Sequence, residues 1–171
     1  MTFFDSTEFN PDPECQMTDS RIISRYIHAG KGVVALVSPS GKHHTYSFKR
    51  PLNEAEFPDD MVFVYAMHWQ GTCYKQFYIG TVEQGVFRLT RRSRFTQDTD
   101  IVRGAEYITK MAKSQHLCDT TPMRLYHNGR CCKCGRKLVS SKYLTEGIGK
   151  KCLSKWEEKA NARTFEFIQR T

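Results

Sequence analysis

Three cysteines near the carboxyl end constrain the fold of this 171-residue chain more than any other feature. Cys131 and Cys134 form a Cys-x2-Cys pair with Gly135 directly after it, and Cys152 comes after 17 intervening residues. A turn of this spacing aims two thiolates at one point, and soft sulfur ligands favour Zn²⁺ over Mg²⁺, Ca²⁺ or Mn²⁺. We therefore predict that Cys131, Cys134 and Cys152 bind one structural Zn²⁺ ion, around which the local chain folds.

The fourth zinc ligand is less well defined by the spacing. Structural zinc takes four protein ligands in a tetrahedron, and His127, four positions before Cys131, is the best candidate. Cys132 is a reserve candidate, because two adjacent residues do not easily face one ion. A closed coordination sphere favours a structural role, since hydrolytic zinc keeps an open position. The alternative interpretation is a set of free thiols without a metal.

The cysteines are not expected to form disulfides. The chain has seven of them, an odd number, and residues 1–20 carry five acidic residues and two prolines instead of a hydrophobic signal segment. The longest apolar runs are far shorter than the roughly 20 residues that span a bilayer. We therefore expect a cytoplasmic protein whose thiols are free or metal-bound.

The sequence around these cysteines resembles a signature of phage and prophage domains of unknown function. That family has His-x-Gly-x-Cys-x2-Cys-Gly-Arg-x-Leu, then Ser, then Gly-Ile-Gly-Pro-x-Cys. This chain matches it with residues 126–138 (Tyr-His-Asn-Gly-Arg-Cys-Cys-Lys-Cys-Gly-Arg-Lys-Leu), Ser140 or Ser141, and residues 146–152 (Glu-Gly-Ile-Gly-Lys-Lys-Cys), with Lys150 where the family usually has proline. The resemblance implies a phage or mobile-element origin, hence a bacterial host cytoplasm, and a zinc-binding fold. It brings no activity and no catalytic residue.

Positive charge is concentrated around the same cysteines. Eleven basic and three acidic residues lie between Arg124 and Arg163, so this segment accounts for the whole net charge of +8. Clustered positive charge favours polyanions, phosphate backbones first among them. The candidate phosphate contacts are Lys133, Arg136, Lys137, Lys150 and Lys151. A solvated surface and an acidic protein partner remain alternative interpretations of the charge alone.

A second basic cluster lies in the middle of the chain. Arg91, Arg92 and Arg94 are flanked by Phe87 and Phe95. Arginines beside aromatic rings suit phosphate contacts and base stacking, so these three residues could extend a nucleic-acid surface. A charged strand edge that prevents aggregation is the alternative.

The residue pattern predicts an α+β fold whose small carboxyl-terminal segment is held together by a metal ion. Residues 1–20 are expected to form an acidic, flexible leader, residues 21–122 an antiparallel β-meander with a helix, and residues 123–171 a basic zinc-binding module with a carboxyl-terminal helix. Strands are predicted at 33–37, 44–49, 61–67, 77–82 and 86–90 from their β-branched and alternating residues. Apolar residues at Ile101, Ala105, Ile108 and Ala112 predict one face of a helix.

Two function classes fit these features. The first is a non-enzymatic zinc-binding phage accessory protein whose basic module binds nucleic acid. The second is a phage inhibitor that acts against host defence by binding a host protein such as a nuclease or a CRISPR effector. An enzyme is not expected: Tyr78-Ile79-Gly80 is similar to a tripeptide of the GIY-YIG nucleases, but a turn and a strand follow it where that fold needs a helix carrying arginine.

Overall fold

The computed structural model describes residues 11–170, and side chains as far as residue 162. Within that range an antiparallel six-stranded sheet and five α-helices form the predicted α+β fold. The strands are β1 (Lys31–Val37), β2 (His43–Lys49), β3 (Val62–Trp69), β4 (Tyr74–Glu83), β5 (Val86–Leu89) and β6 (Arg124–His127). The helices are α1 (Ser20–His28), α2 (Asp100–Met111), α3 (Gln115–Thr120), α4 (Ser141–Glu146) and α5 (Lys150–Arg170).

The sheet places the last strand beside the first. Its order is β5-β4-β3-β2-β1-β6, so the first five strands form the predicted meander and β6 pairs with the free edge of β1. The register puts Val34 opposite His127. The boundary expected between residues 122 and 123 therefore falls directly before a strand of the same sheet.

The core lies between α1, α2 and one face of the sheet. Alternate residues of β1 and β2 point to that face and are buried: Val34, Leu36, Tyr46 and Phe48. The face predicted for α2 is buried through Ile101, Ala105 and Ile108. Gly104 lets α2 approach the sheet closely, because a Cβ at this position would lie 2.1 Å from the hydroxyl oxygen of Tyr46. That hydroxyl donates a 2.9 Å hydrogen bond to the carbonyl of Ile101.

The segment before α1 is attached to the outer edge of β6. Asp12 caps a short 3-10 turn at Pro13–Cys15, and the amide of Met17 donates a 2.8 Å hydrogen bond to the carbonyl of Leu125. Cys15 and Met17 are each 2% exposed. Residues 11–19 of the expected leader thus contact the fold through two buried side chains and a backbone hydrogen bond to β6. Residues 1–10 of that leader lie outside the described residues.

The chain after β6 turns twice before it enters the last helix. Gly147 ends α4 in the left-handed conformation, with φ +65°, and α5 begins three residues later. A Cβ at residue 147 would lie 2.6 Å from the ring of Tyr26, so close packing as well as backbone conformation requires glycine here. Within residues 11–170 no helix combines the length and the apolar character needed to cross a membrane.

Candidate metal centre

Three of the predicted metal ligands meet at one point. The sulfur atoms of Cys131, Cys134 and Cys152 all lie within 4.8 Å of one another. A tetrahedral zinc ion with bonds of about 2.3 Å would hold its sulfur ligands about 3.8 Å apart, so this donor set fits the ion. The first two thiols come from the turn after β6, and the third comes from the first turn of α5.

Backbone hydrogen bonds shape the turn that carries the first two cysteines. The amide of Gly135 donates to the carbonyl of Cys131 over 2.9 Å, and the amide of Cys131 donates to the carbonyl of Arg136 over 2.9 Å. Gly135 has φ +77°, a value that favours glycine. A β-bridge between Arg130 and Lys137 closes this small hairpin. The local sequence thus holds Cys131 and Cys134 on the same side of a tight turn.

The surroundings of the sulfur atoms favour the thiolate form of Cys131 and disfavour that of Cys152. Burial raises the pKa of Cys131, but hydrogen bonds from the amides of Gly149, Cys134 and Lys133 outweigh burial and lower it to about 7. The amide of Gly149 lies 3.4 Å from the Cys131 sulfur. Burial and the neighbouring thiols raise the pKa of Cys152 to about 11. A bound divalent cation would offset the repulsion between thiolates and so favour deprotonation of all three thiols.

His127, the predicted fourth ligand, lies outside the group of three thiols that meet at one point. Its Nε2 donates a 2.7 Å hydrogen bond to the carbonyl of Leu144, and its Nδ1 accepts a 3.0 Å bond from the amide of Gly129. The side chain is 1% exposed, and its ring lies 5.1 Å from that of Tyr26. Both ring nitrogens are therefore committed to the backbone, and His127 is a structural histidine.

Cys132 does not join the group either. Burial and the neighbouring Cys131 raise the pKa of Cys132 to about 12, so it keeps its proton. Its amide donates to the carbonyl of Gly147, and its carbonyl accepts from the amide of Lys31. The residue thus ties the cysteine turn to β1 and to the end of α4. Among the His, Cys, Asp and Glu residues that the structure describes, the cluster comprises three ligands.

The basic residues predicted for phosphate contact surround this cluster. All five are exposed: Lys133, Arg136, Lys137, Lys150 and Lys151. None of them forms an ion pair with a carboxylate in residues 11–162. Lys31 joins them in space, since its side chain lies 3.5 Å from the position that a Cβ on Gly135 would take. Sequence reasoning missed Lys31 because the contact depends on the pairing of β1 with β6.

The second basic cluster lies elsewhere on the molecule. Arg91, Arg92 and Arg94 follow β5, at the opposite edge of the sheet from β6. The guanidinium carbon of Arg94 lies 5.1 Å from the ring centre of Phe77, whereas Phe87 is buried in the core. The fold does not bring these arginines to the cysteine cluster.

The tripeptide Tyr78-Ile79-Gly80 has a structural explanation. It lies within β4, where Ile79 is fully buried and Gly80 lets the backbone approach the carbonyl of Arg88 in β5. A strand follows it, as the sequence predicts.

No family model, no curated protein and no solved structure matches this chain.

Proposed function

We propose that this protein is a phage-encoded, non-enzymatic accessory protein that binds one structural Zn²⁺ and uses the surface around it to bind nucleic acid. The observation that carries the proposal is the position of the five exposed cations. Lys133, Arg136 and Lys137 stand on the cysteine turn, and Lys150 and Lys151 stand on the first turn of α5.

The zinc ion would fix these two segments relative to each other. Cys131 and Cys134 belong to the turn, whereas Cys152 belongs to α5, so one ion bound by all three joins the two groups of cations. Three thiolates and Zn²⁺ carry a formal charge of −1, which the neighbouring lysines and arginines offset. The surface remains strongly basic and suits a phosphate backbone, because lysine and arginine side chains are the usual contacts of phosphate oxygens.

The phage origin in this proposal is supported by the resemblance of residues 126–152 to the phage and prophage signature. The residues that the signature shares with this chain include the three clustered cysteines and the glycines at positions 147 and 149. Gly149 supplies the amide that faces the Cys131 sulfur. The signature therefore covers the parts of the chain that build the thiol cluster.

The test is fluorescence anisotropy of the zinc-loaded full chain with labelled single-stranded DNA, duplex DNA and RNA in a salt series. We expect affinity that depends little on sequence and falls steeply with salt. The variant K150E/K151E should bind at least tenfold more weakly, and its log–log salt slope should be smaller by about 2. The matched control is K42E/K110E, which makes the same charge change at exposed positions on the β1–β2 turn and on α2.

Two results would contradict the proposal. Equal losses in K150E/K151E and K42E/K110E would mean that only net charge matters. Absence of binding to all three nucleic acids at low salt would remove nucleic-acid binding altogether. The inhibitor of a host protein would then be the function to pursue.

A further inference from the structure

A cavity of about 510 Å³ opens beside the cysteine turn. The sheet supplies part of its wall, the hairpin that carries Cys131 and Cys134 supplies another part, and Asn128 lies between them. The lining residues used below are Val33, Thr45, Met67, Arg130, Lys137 and Leu138. The volume is within the range of sites that enclose small organic ligands.

Two like charges face each other at this cavity. Arg130 and Lys137 are partners in the β-bridge that closes the hairpin, so they lie directly opposite each other. Like charges in this position repel, which destabilises the pair. Neither residue has a carboxylate ion-pair partner in residues 11–162. The guanidinium of Arg130 donates one 3.2 Å hydrogen bond to the carbonyl of Gly135, which leaves its other N–H groups for a ligand. Asp12, which also lines the cavity, accepts a hydrogen bond from the amide of Glu14. An anion held between Arg130 and Lys137 would relieve their repulsion.

A buried hydroxyl lines the same cavity without a hydrogen-bond partner. Thr45 in β2 is 2% exposed, and its Oγ1 has no partner among the described residues. A buried polar group without a hydrogen bond is costly and calls for an explanation. Less than 1 Å² of this oxygen is accessible in the free protein, so a ligand with a polar edge would satisfy it once the side chain rotates toward the cavity.

Apolar side chains form part of the remaining wall, which also includes Asp12, His127 and Asn128. Val33 and Met67 from the sheet and Leu138 from the hairpin offer contacts for a flat, weakly polar group. The cavity thus combines two cations, one orphan hydroxyl and an apolar wall. A nucleotide has the matching parts: a phosphate, polar groups on the base and sugar, and a flat ring.

We propose that this cavity binds one nucleotide with a terminal phosphate, either free or at the end of a strand. Arg130 and Lys137 hold the phosphate, Thr45 hydrogen-bonds to the base or sugar, and the apolar wall packs against the ring. This inference deepens the proposed function, since it assigns to nucleic-acid binding a pocket for a single unit in addition to the open surface.

The first experiment titrates the zinc-loaded full chain with thymidine 5′-monophosphate and with thymidine in a calorimeter. We expect the monophosphate to bind and the nucleoside to bind at least tenfold more weakly, because the charge-assisted contacts are to the phosphate. R130Q/K137Q should weaken binding at least tenfold. The matched control is K42Q/K110Q, which removes the same two charges at exposed residues outside both the cavity lining and the basic surface, and it should bind the monophosphate as the wild type does.

T45V keeps the shape of residue 45 and removes the hydroxyl. Because that hydroxyl makes no hydrogen bond in the free protein, we expect T45V to melt at or above the wild-type temperature while binding the monophosphate about tenfold more weakly. An unchanged affinity in T45V, or no monophosphate binding by the wild type at millimolar concentration, would overturn the inference.

Oligonucleotides show whether the bound phosphate belongs to a free nucleotide or to the end of a strand. They also distinguish failure of the cavity inference from failure of the proposed function. If the terminal phosphate of a strand is bound, a 5′-phosphorylated oligonucleotide should bind more tightly than its 5′-hydroxyl form, and R130Q/K137Q should remove the difference. Oligonucleotide binding that depends on Lys150 and Lys151, without any monophosphate binding, overturns the cavity inference and leaves the proposed function standing. Monophosphate binding without oligonucleotide binding supports the cavity inference and contradicts the proposed function.

Discussion

His127 and Leu144 are joined by a 2.7 Å hydrogen bond from the imidazole Nε2 to the backbone carbonyl, and this bond spans the segment that carries Cys131 and Cys134. A carbonyl only accepts, so Nε2 bears the proton, and Nδ1 is free to accept the amide of Gly129. One neutral tautomer therefore satisfies two backbone groups on either side of the cysteine turn. A metal bond at either nitrogen would break one of these contacts.

Substitution of the cysteines and of His127 should affect metal binding differently. C134S should bind zinc at least tenfold more weakly, because a serine hydroxyl is a poor replacement for a thiolate ligand. H127Q should keep one zinc per chain. The measurement is metal content by mass spectrometry after dialysis against a competing chelator, with C73S, an exposed cysteine outside the cluster, as the control. Zinc lost from H127Q as completely as from C134S would restore His127 to the ligand set.

His127 should make the protein less stable in mild acid. Burial lowers the pKa of His127 below its ordinary value of 6.5. Below pH 6.5 the unfolded chain therefore binds a proton that the folded chain excludes. The free energy of unfolding thus decreases as the pH is lowered. Between pH 7.5 and 5.5 this residue should cost up to about 1.4 kcal/mol.

Guanidinium melts of the wild type and H127Q at both pH values measure this effect, because acid-driven changes at the thiols are common to both proteins. H28Q, at a half-buried histidine of α1, is the control. Equal losses of stability in wild type and H127Q would show that another group is responsible.

Gly104 and Tyr46 should be energetically coupled. A Cβ at position 104 collides with the hydroxyl of Tyr46, whereas the next ring atom would lie 3.1 Å away. G104A should cost about 1–3 kcal/mol of unfolding free energy, and Y46F about 1 kcal/mol through the lost bond to Ile101. Because Y46F also removes the colliding atom, the double variant should cost less than the sum. Additive losses in denaturant melts would refute the collision.

Removal of zinc should loosen the cysteine turn before the sheet. The amides of Gly135 and Gly149 depend on the arrangement of the thiol cluster, since they bond to the backbone and the sulfur of Cys131. The amides of β2 and β3 bond within the sheet. In hydrogen exchange with a chelator, residues 129–138 and 147–152 should exchange faster while β2 and β3 keep their protection. Simultaneous loss of protection in all these segments would contradict local opening.

The strands that the sequence predicted are those with a clear local residue pattern. β1 is rich in β-branched residues, β2 carries alternate aromatic residues at Tyr46 and Phe48, and α2 repeats its apolar residues with helical spacing, so local rules were sufficient. β6 has only four residues between a turn and the cysteines. Its place beside β1 is a long-range choice that no local pattern records.

The sequence likewise predicted only part of the arrangement at the candidate metal centre. The Cys-x2-Cys turn and Cys152 are brought together as their spacing indicates. His127 was assigned as a ligand because it stands near the cysteines in sequence, yet the carbonyl of Leu144 competes for its proton-bearing nitrogen. That competitor lies 17 residues away, and its position depends on how α4 folds back.

The strand order also determines when the protein can finish folding on the ribosome. β1 ends at Val37 and its neighbour β6 begins at Arg124, so the strands β2 to β5 and two helices are made while one edge of β1 has unpaired amides and carbonyls. Cys152 emerges later still. Chains cut short after α2 would display that open edge permanently, ready to pair with the same edge of another copy. Protection of newly made chains from aggregation thus depends on completing the carboxyl end.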